Sequence, residues 1–136
     1  GAPASATVTD STTVRGLLLV KKQAIDADCT GTSVGTFVTT DITGASPGEC
    51  IIYRIEAQNT STAALGFNIT DLVVSDLLAK FSAEADYVDG SATTTASAGG
   101  PYTATNNGTA ITTTVDTLAP QGTATMQFKV KIKTAR

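Results

Sequence analysis

The feature that most constrains the fold is the run from Thr123 to Lys133, where apolar and polar side chains alternate without a break. In an extended chain, such alternation places the two sets of side chains on opposite faces. The apolar set is Ala124, Met126, Phe128, Val130 and Ile132. Five matched positions in a row predict a β-strand with one buried face.

Further strands are predicted upstream at short, regular spacing, with turn signals between them. Glu49–Asn59 alternates in the same way, and Asn107-Gly108 favours a type I′ hairpin turn. Weaker strands are expected at 36–42, 67–75, 81–88 and 110–115, with a single helical turn at 77–80. The chain of 136 residues is one domain in size, and it is rich in β-branched threonine. We therefore predict an all-β, immunoglobulin-like antiparallel sandwich of about seven to nine strands.

The first fourteen residues form a distinct N-terminal extension before the predicted sandwich, which spans 15–136. Alanine, serine and threonine alternate there, so the apolar face of this strand carries only small side chains. One hypothesis is that a neighbouring subunit takes up this segment by β-strand addition. The alternative is that residues 5–14 pair within their own sheet. The candidate donor-strand residues are Ala4, Ala6, Val8, Thr12 and Val14.

Charge and composition favour an exported protein. The net charge is −3, which argues against a nucleic-acid partner, and no apolar run approaches the ~20 residues of a membrane span. Lys129, Lys131 and Lys133 alternate along the final strand and are expected to form one solvated face. The opening Gly1–Ala6 has the small residues typical of a signal-peptidase cut. We expect a mature chain that is secreted to the extracellular space or the cell surface.

Two cysteines, Cys29 and Cys50, predict one structural disulfide in an exported chain. The alternatives are a metal-binding pair and a redox dithiol. The spacing is not that of a CxxC motif, and no histidine is present to complete a zinc site.

No group of residues predicts catalysis. The absence of histidine removes the commonest general base, and disulfide formation would remove both thiol nucleophiles. A pair among the carboxylates of 71–89 stays open, but their spacing fits solvated positions equally well. We expect no enzyme activity and no cofactor. These carboxylates are Asp71, Asp76, Glu84, Asp86 and Asp89.

The sequence offers candidates for three kinds of modification or ligand site. Weak calcium candidates are Asp26, Asp28 and Asp41, although acidic loops are also found simply as soluble surface. Glycosylation triplets begin at Asn59, Asn68 and Asn107. An internal lysine–asparagine isopeptide bond would use Lys21 or Lys22, but the final strand offers no asparagine partner.

Four segments in order resemble a family, the prokaryotic conserved-repeat surface domain. They are Leu18–Lys22, Ser46–Thr60, Leu72–Asp76 and Leu118–Val130. The resemblance implies an immunoglobulin-like sandwich of exported and cell-wall proteins, without catalytic residues. The chain departs from the pattern in three ways: Asp76-Leu77-Leu78-Ala79 lacks the usual proline, the cysteine-bearing segment Cys29–Gly44 is extra, and the domain is not tandemly repeated.

Together these features predict a non-catalytic structural subunit of an extracellular filament. Its partners would be copies of itself and a cell-surface anchor. The alternative function is a cell-surface adhesin or carbohydrate-binding module, for which Tyr87 and Tyr102 would form the aromatic platform.

Overall fold

The computed structural model describes residues 2–7, 11–14, 16–64 and 66–134, and for residues before Gly16 it describes the backbone. This part of the chain forms ten strands and one 3₁₀ turn, Leu78–Lys80. The strands are β1 (Ala2–Thr7), β2 (Ser11–Val14), β3 (Leu17–Asp26), β4 (Cys50–Asn59), β5 (Ile69–Leu77), β6 (Ala85–Tyr87), β7 (Thr93–Ala96), β8 (Ala104–Asn106), β9 (Ala110–Leu118) and β10 (Thr123–Ile132). The predicted all-β sandwich is confirmed, and the described residues form ten strands where seven to nine were predicted.

The strands form two sheets that pack face to face. Sheet A has the order β1-β5-β9-β8, and sheet B has the order β2-β3-β4-β10-β6, with β7 also paired to β10. Neighbouring strands run antiparallel except β1, which lies parallel to β5. The N-terminal segment therefore supplies one edge strand to each sheet.

The core lies between the inner faces of the sheets, as the alternation of the final strand predicts. Ala124, Met126, Phe128 and Val130 are all buried, and Ile132 packs partly exposed against the same cluster. Burial of this apolar surface between the two sheets is the main driving force of folding. From the opposite sheet, Leu72, Ile111 and Val115 complete the core without a tryptophan.

Two weaker strand predictions are corrected by the structure. The segment 36–42 contributes only an isolated bridge, between Val38 and Gln23. In the segment 81–88 only Ala85–Tyr87 is a strand, because residues 81–84 form hydrogen-bonded turns that follow the 3₁₀ turn. Phe81 is buried as a core anchor. The Phe81 ring lies 6.0 Å from the Tyr53 ring and 5.9 Å from the Phe128 ring, measured between centroids. The predicted helical turn is confirmed at Leu78–Lys80.

Candidate functional site

The N-terminal segment occupies the edges of both sheets in this single chain. Strand β1 pairs with β5 through contacts such as Ser5 with Val73 and Ala6 with Val74. Strand β2 pairs with β3 from Ser11 with Val20 to Val14 with Leu17. In this arrangement the N-terminal segment pairs with strands of its own chain.

Of the candidate donor residues, Ala4 and Ala6 lie in β1, and Thr12 and Val14 lie in β2. Val8 lies outside the described residues. Without the segment, β5 and β3 would each present one row of unpaired backbone groups. Such open edges are templates for pairing with another chain. Uptake by a neighbouring subunit stays a prediction.

The predicted disulfide between Cys29 and Cys50 is present. The Cα atoms lie 5.1 Å apart and the sulfur atoms 2.02 Å apart. Cys50 is fully buried at the start of β4, whereas Cys29 lies in the loop after β3. The disulfide therefore links the long, irregular connection between β3 and β4 to the first residue of β4.

The first calcium candidate, Asp26, is instead a buried ion-pair partner of Lys129. The Lys129 ammonium lies 2.8 Å from the Asp26 carboxylate and donates a hydrogen bond of 2.7 Å to the Cys29 carbonyl. The Gly31 backbone N–H also donates to Asp26. Lys129 is thus not part of a solvated lysine face: its long side chain reaches back over the disulfide loop, which the alternation could not reveal.

Asp28 organises the loop next to the disulfide. Its carboxylate accepts hydrogen bonds from the Thr30 hydroxyl and backbone N–H, and from the hydroxyls of Thr32 and Ser33. These bonds, led by that of the Thr30 hydroxyl, hold the pKa of Asp28 far below its usual value. Asp41 is exposed in the later loop. Among the described residues, no three acidic, cysteine or histidine side chains cluster as a metal site.

Asn59, a glycosylation candidate, is a buried structural residue. Its amide donates to the carbonyls of Phe67 at 2.7 Å and Leu118 at 2.9 Å, and its oxygen accepts from Ser61. The side chain is fully buried, so the folded chain gives no access to its nitrogen. Asn68 and Asn107 are exposed, and glycosylation there stays a prediction.

The structure also buries a charged cluster that joins Lys21, the isopeptide candidate, to Asp76, one of the candidate catalytic carboxylates. Lys21 lies on the core face of β3 and Asp76 on the core face of β5, with 2.6 Å between Lys21 Nζ and Asp76 Oδ2. Lys80 Nζ lies 3.3 Å from Asp76 Oδ1. The ring of Tyr53 covers Lys21 Nζ at 4.4 Å. Burial, and then the charge of Asp76, raise the pKa of Tyr53 above its usual range.

A signal for Lys21 was present, since it shares the parity of Leu17 and Leu19, which are buried. Asp76 looked like a strand end because Asp71 interrupts the alternation of β5. Asp71 adopts a positive φ of 51°, which shifts the parity of the residues after it. The other candidate catalytic carboxylates are exposed, at Asp71, Glu84, Asp86 and Asp89.

The two tyrosines proposed as an aromatic platform are partly buried against the core. Tyr87 packs on Phe128 with a centroid distance of 6.3 Å, and the backbone N–H of Ala92 donates to its hydroxyl. The Tyr102 hydroxyl donates to Asp116 at 2.6 Å. Their contacts are those of structural side chains.

Comparison with known proteins gave no match among family models, curated proteins or solved structures. The resemblance to the conserved-repeat surface domain therefore stays a prediction. Within the described ranges, no helix has the length and apolar character needed to cross a membrane.

Proposed function

We propose that this protein is a non-catalytic structural subunit of an extracellular filament, in which each chain donates its N-terminal strand to a neighbour. The observation that carries the proposal is the position of β1. It lies at the edge of sheet A, parallel to β5, and precedes the rest of the fold in sequence. A strand in this position can be supplied by another copy with the same register.

Exchange of β1 between copies preserves the pairing that stabilises each subunit. The backbone hydrogen bonds to β5 form whether the strand belongs to the same chain or to the next one, which is the basis of domain swapping. Donation from head to tail gives an open filament when the rotation between successive subunits does not close a ring, which is the arrangement that we propose. The loss of one internal pairing is offset by an equal pairing between chains.

The other properties of the chain fit an extracellular role. The disulfide is of the kind that persists in oxidising compartments. Charged residues make up only 15% of the sequence, and the exposed loops are rich in threonine and serine. The partners under this proposal are copies of the same chain and an anchor at the cell surface.

Negative-stain electron microscopy of the purified protein tests the proposal. We compare the full chain with a variant lacking residues 1–14 and with Ser5→Pro/Ala6→Pro. Alternate residues of a strand point their N–H groups to the same neighbour, so two consecutive prolines remove at least one donor to β5. The matched control is Ser5→Ala/Ala6→Ser, which keeps every backbone donor and the composition.

Filaments from the full chain and the matched control, with single particles from the other two variants, support strand donation. Single particles from the full chain across salt and calcium concentrations contradict it. That result favours the alternative, a cell-surface adhesin or carbohydrate-binding module, which is then tested by binding to immobilised glycans.

A further inference from the structure

We propose that Lys21 and Asp76 are joined by an intramolecular amide bond, which covalently links sheet A to sheet B. The two side chains already meet inside the sandwich, with 2.6 Å between Lys21 Nζ and Asp76 Oδ2. The bond would form between β3 and β5, which belong to opposite sheets. This inference does not depend on filament formation.

The first support is the burial of both reacting groups. The Asp76 side chain is 0% exposed and that of Lys21 is 8% exposed. Removing both charges from water carries a large desolvation cost that an ion pair only partly recovers. Conversion to a neutral amide removes both charges and leaves a group that suits a partly apolar core.

The second support is the sparse hydrogen bonding of the carboxylate. Among the described residues, neither oxygen of Asp76 has a hydrogen-bond partner apart from the two lysine ammonium groups. The other buried pair is better satisfied, although Asp26 Oδ1 also has no hydrogen-bond partner among the described residues. Asp26 Oδ2 accepts from the Gly31 backbone N–H, and Lys129 also donates to the Cys29 carbonyl.

The surroundings provide what the condensation needs. Lys21 Nζ passes one proton to Asp76 Oδ2, and the neutral amine then attacks Cγ. The negative charge that develops on Oδ1 faces Lys80 Nζ, now 3.3 Å away, which stabilises the tetrahedral intermediate. A second proton moves from Nζ to Oδ2, the Cγ–Oδ2 bond breaks, and water leaves.

This reaction balances without any further reactant. An ammonium and a carboxylate give one amide and one water molecule, with no oxidation or reduction. The Tyr53 ring, 4.4 Å from Nζ, covers the amine and limits the approach of water that would compete at the site. Holding the two groups in contact supplies the proximity that an intermolecular reaction lacks.

Intact-mass spectrometry of the purified, fully reduced and denatured chain tests the proposal. We expect a mass one water molecule below that of the sequence. Digestion with trypsin is expected to yield a branched peptide in which 16–22 is joined to 55–80 through Lys21 and Asp76. Lys21→Arg keeps the positive charge but cannot form the amide, so it is expected to have the full mass.

The matched control is Lys22→Arg, because Lys22 forms a partly exposed pair with Glu56 at 2.8 Å on the outer face. The Lys22→Arg variant is expected to show the same loss of one water molecule as the parent chain. A parent chain of full mass would overturn the proposal and leave an ordinary buried ion pair. A water loss that persists in Lys21→Arg, or that maps to Asp89-Gly90 or to Lys129, would overturn it equally.

Discussion

Replacing Asn59 with alanine is expected to destabilise the fold strongly, although the residue lies at the end of a strand. Asn59 closes β4, and its side chain joins three separate segments. The amide binds the carbonyls of Phe67 and Leu118, and the oxygen accepts from the N–H and hydroxyl of Ser61. The asparagine is fully buried, and Leu118 is 2% exposed.

The magnitude follows from these contacts. Each of the two donated bonds contributes about 1 kcal/mol net, and the Leu118 carbonyl left without its partner adds about 1–2 kcal/mol. The Ser61 groups lie near the surface and can turn to water, so their loss adds little. Asn59→Ala should therefore lower the free energy of unfolding by about 3 kcal/mol. For a domain of this size, that corresponds to a melting temperature lower by about 10 °C.

Urea and thermal unfolding followed by circular dichroism measure the effect. Asn68→Ala is the matched control, since Asn68 is exposed in the same loop region and is expected to change the free energy by less than about 0.5 kcal/mol. A loss below about 1 kcal/mol for Asn59→Ala would show that the buried amide does not hold these segments together.

Three further predictions concern the disulfide and two titrating groups. Replacing both cysteines with serine should lower the free energy of unfolding by about 3 kcal/mol, from the sequence separation of 21; an unchanged urea midpoint would contradict this. The Asp28 carboxyl should titrate below its usual 3.8 by carbon-detected NMR, and Thr30→Val should raise its midpoint. Because this pKa is lowered by folding, the stabilisation is present above pH 3.8 and is lost as the pH falls through the lowered value. The hydrogen bond to Asp116 raises the pKa of Tyr102 above 10.0. The stability that this bond contributes is therefore lost as the pH rises through the raised pKa. In the Asp116→Asn variant, ultraviolet titration should show that the Tyr102 hydroxyl ionises at a lower pH than in the parent chain.

The strand pattern was predictable wherever one face is apolar and the other polar. Strand β10 follows this rule from Ala124 to Val130, and both its position and its buried face were predicted. The segment 36–42 does not follow it, because it lies within the connection closed by the Cys29–Cys50 disulfide and pairs only through the bridge between Val38 and Gln23. Alternation in a short run therefore indicates an extended chain but not its pairing.

Buried polar residues were the main feature that the sequence could not reveal. The sequence marks Lys21 as an isopeptide candidate, Asp26 as a weak calcium candidate, Asp76 as one carboxylate of a possible catalytic pair and Asn59 as a glycosylation candidate. None of these interpretations includes burial, since such residues are mostly exposed in folded proteins. Each is buried because a specific partner lies on another strand or loop distant in sequence. The sequence pattern predicts on which face of a strand a residue lies, but it does not identify the partner that makes the burial of a polar side chain possible.

The position of the N-terminal segment was predicted only in part. Its alternation indicated a strand, and β1 and β2 confirm that it is extended. The sequence could not assign β1 to sheet A and β2 to sheet B, because strand order depends on contacts across the whole fold. Nor does small-residue alternation distinguish pairing within a chain from pairing between chains.

The central claim, strand donation between chains, is tested most directly by cross-linking β1 to β5. Ser5 and Val73 are partners in the register of these strands, so Ser5→Cys/Val73→Cys should form a new disulfide. Under oxidising conditions, donation predicts a ladder of covalent oligomers on a non-reducing gel, whereas Ser5→Cys alone gives at most a dimer. A double variant that is entirely monomeric, with the new disulfide inside one chain, would contradict the account.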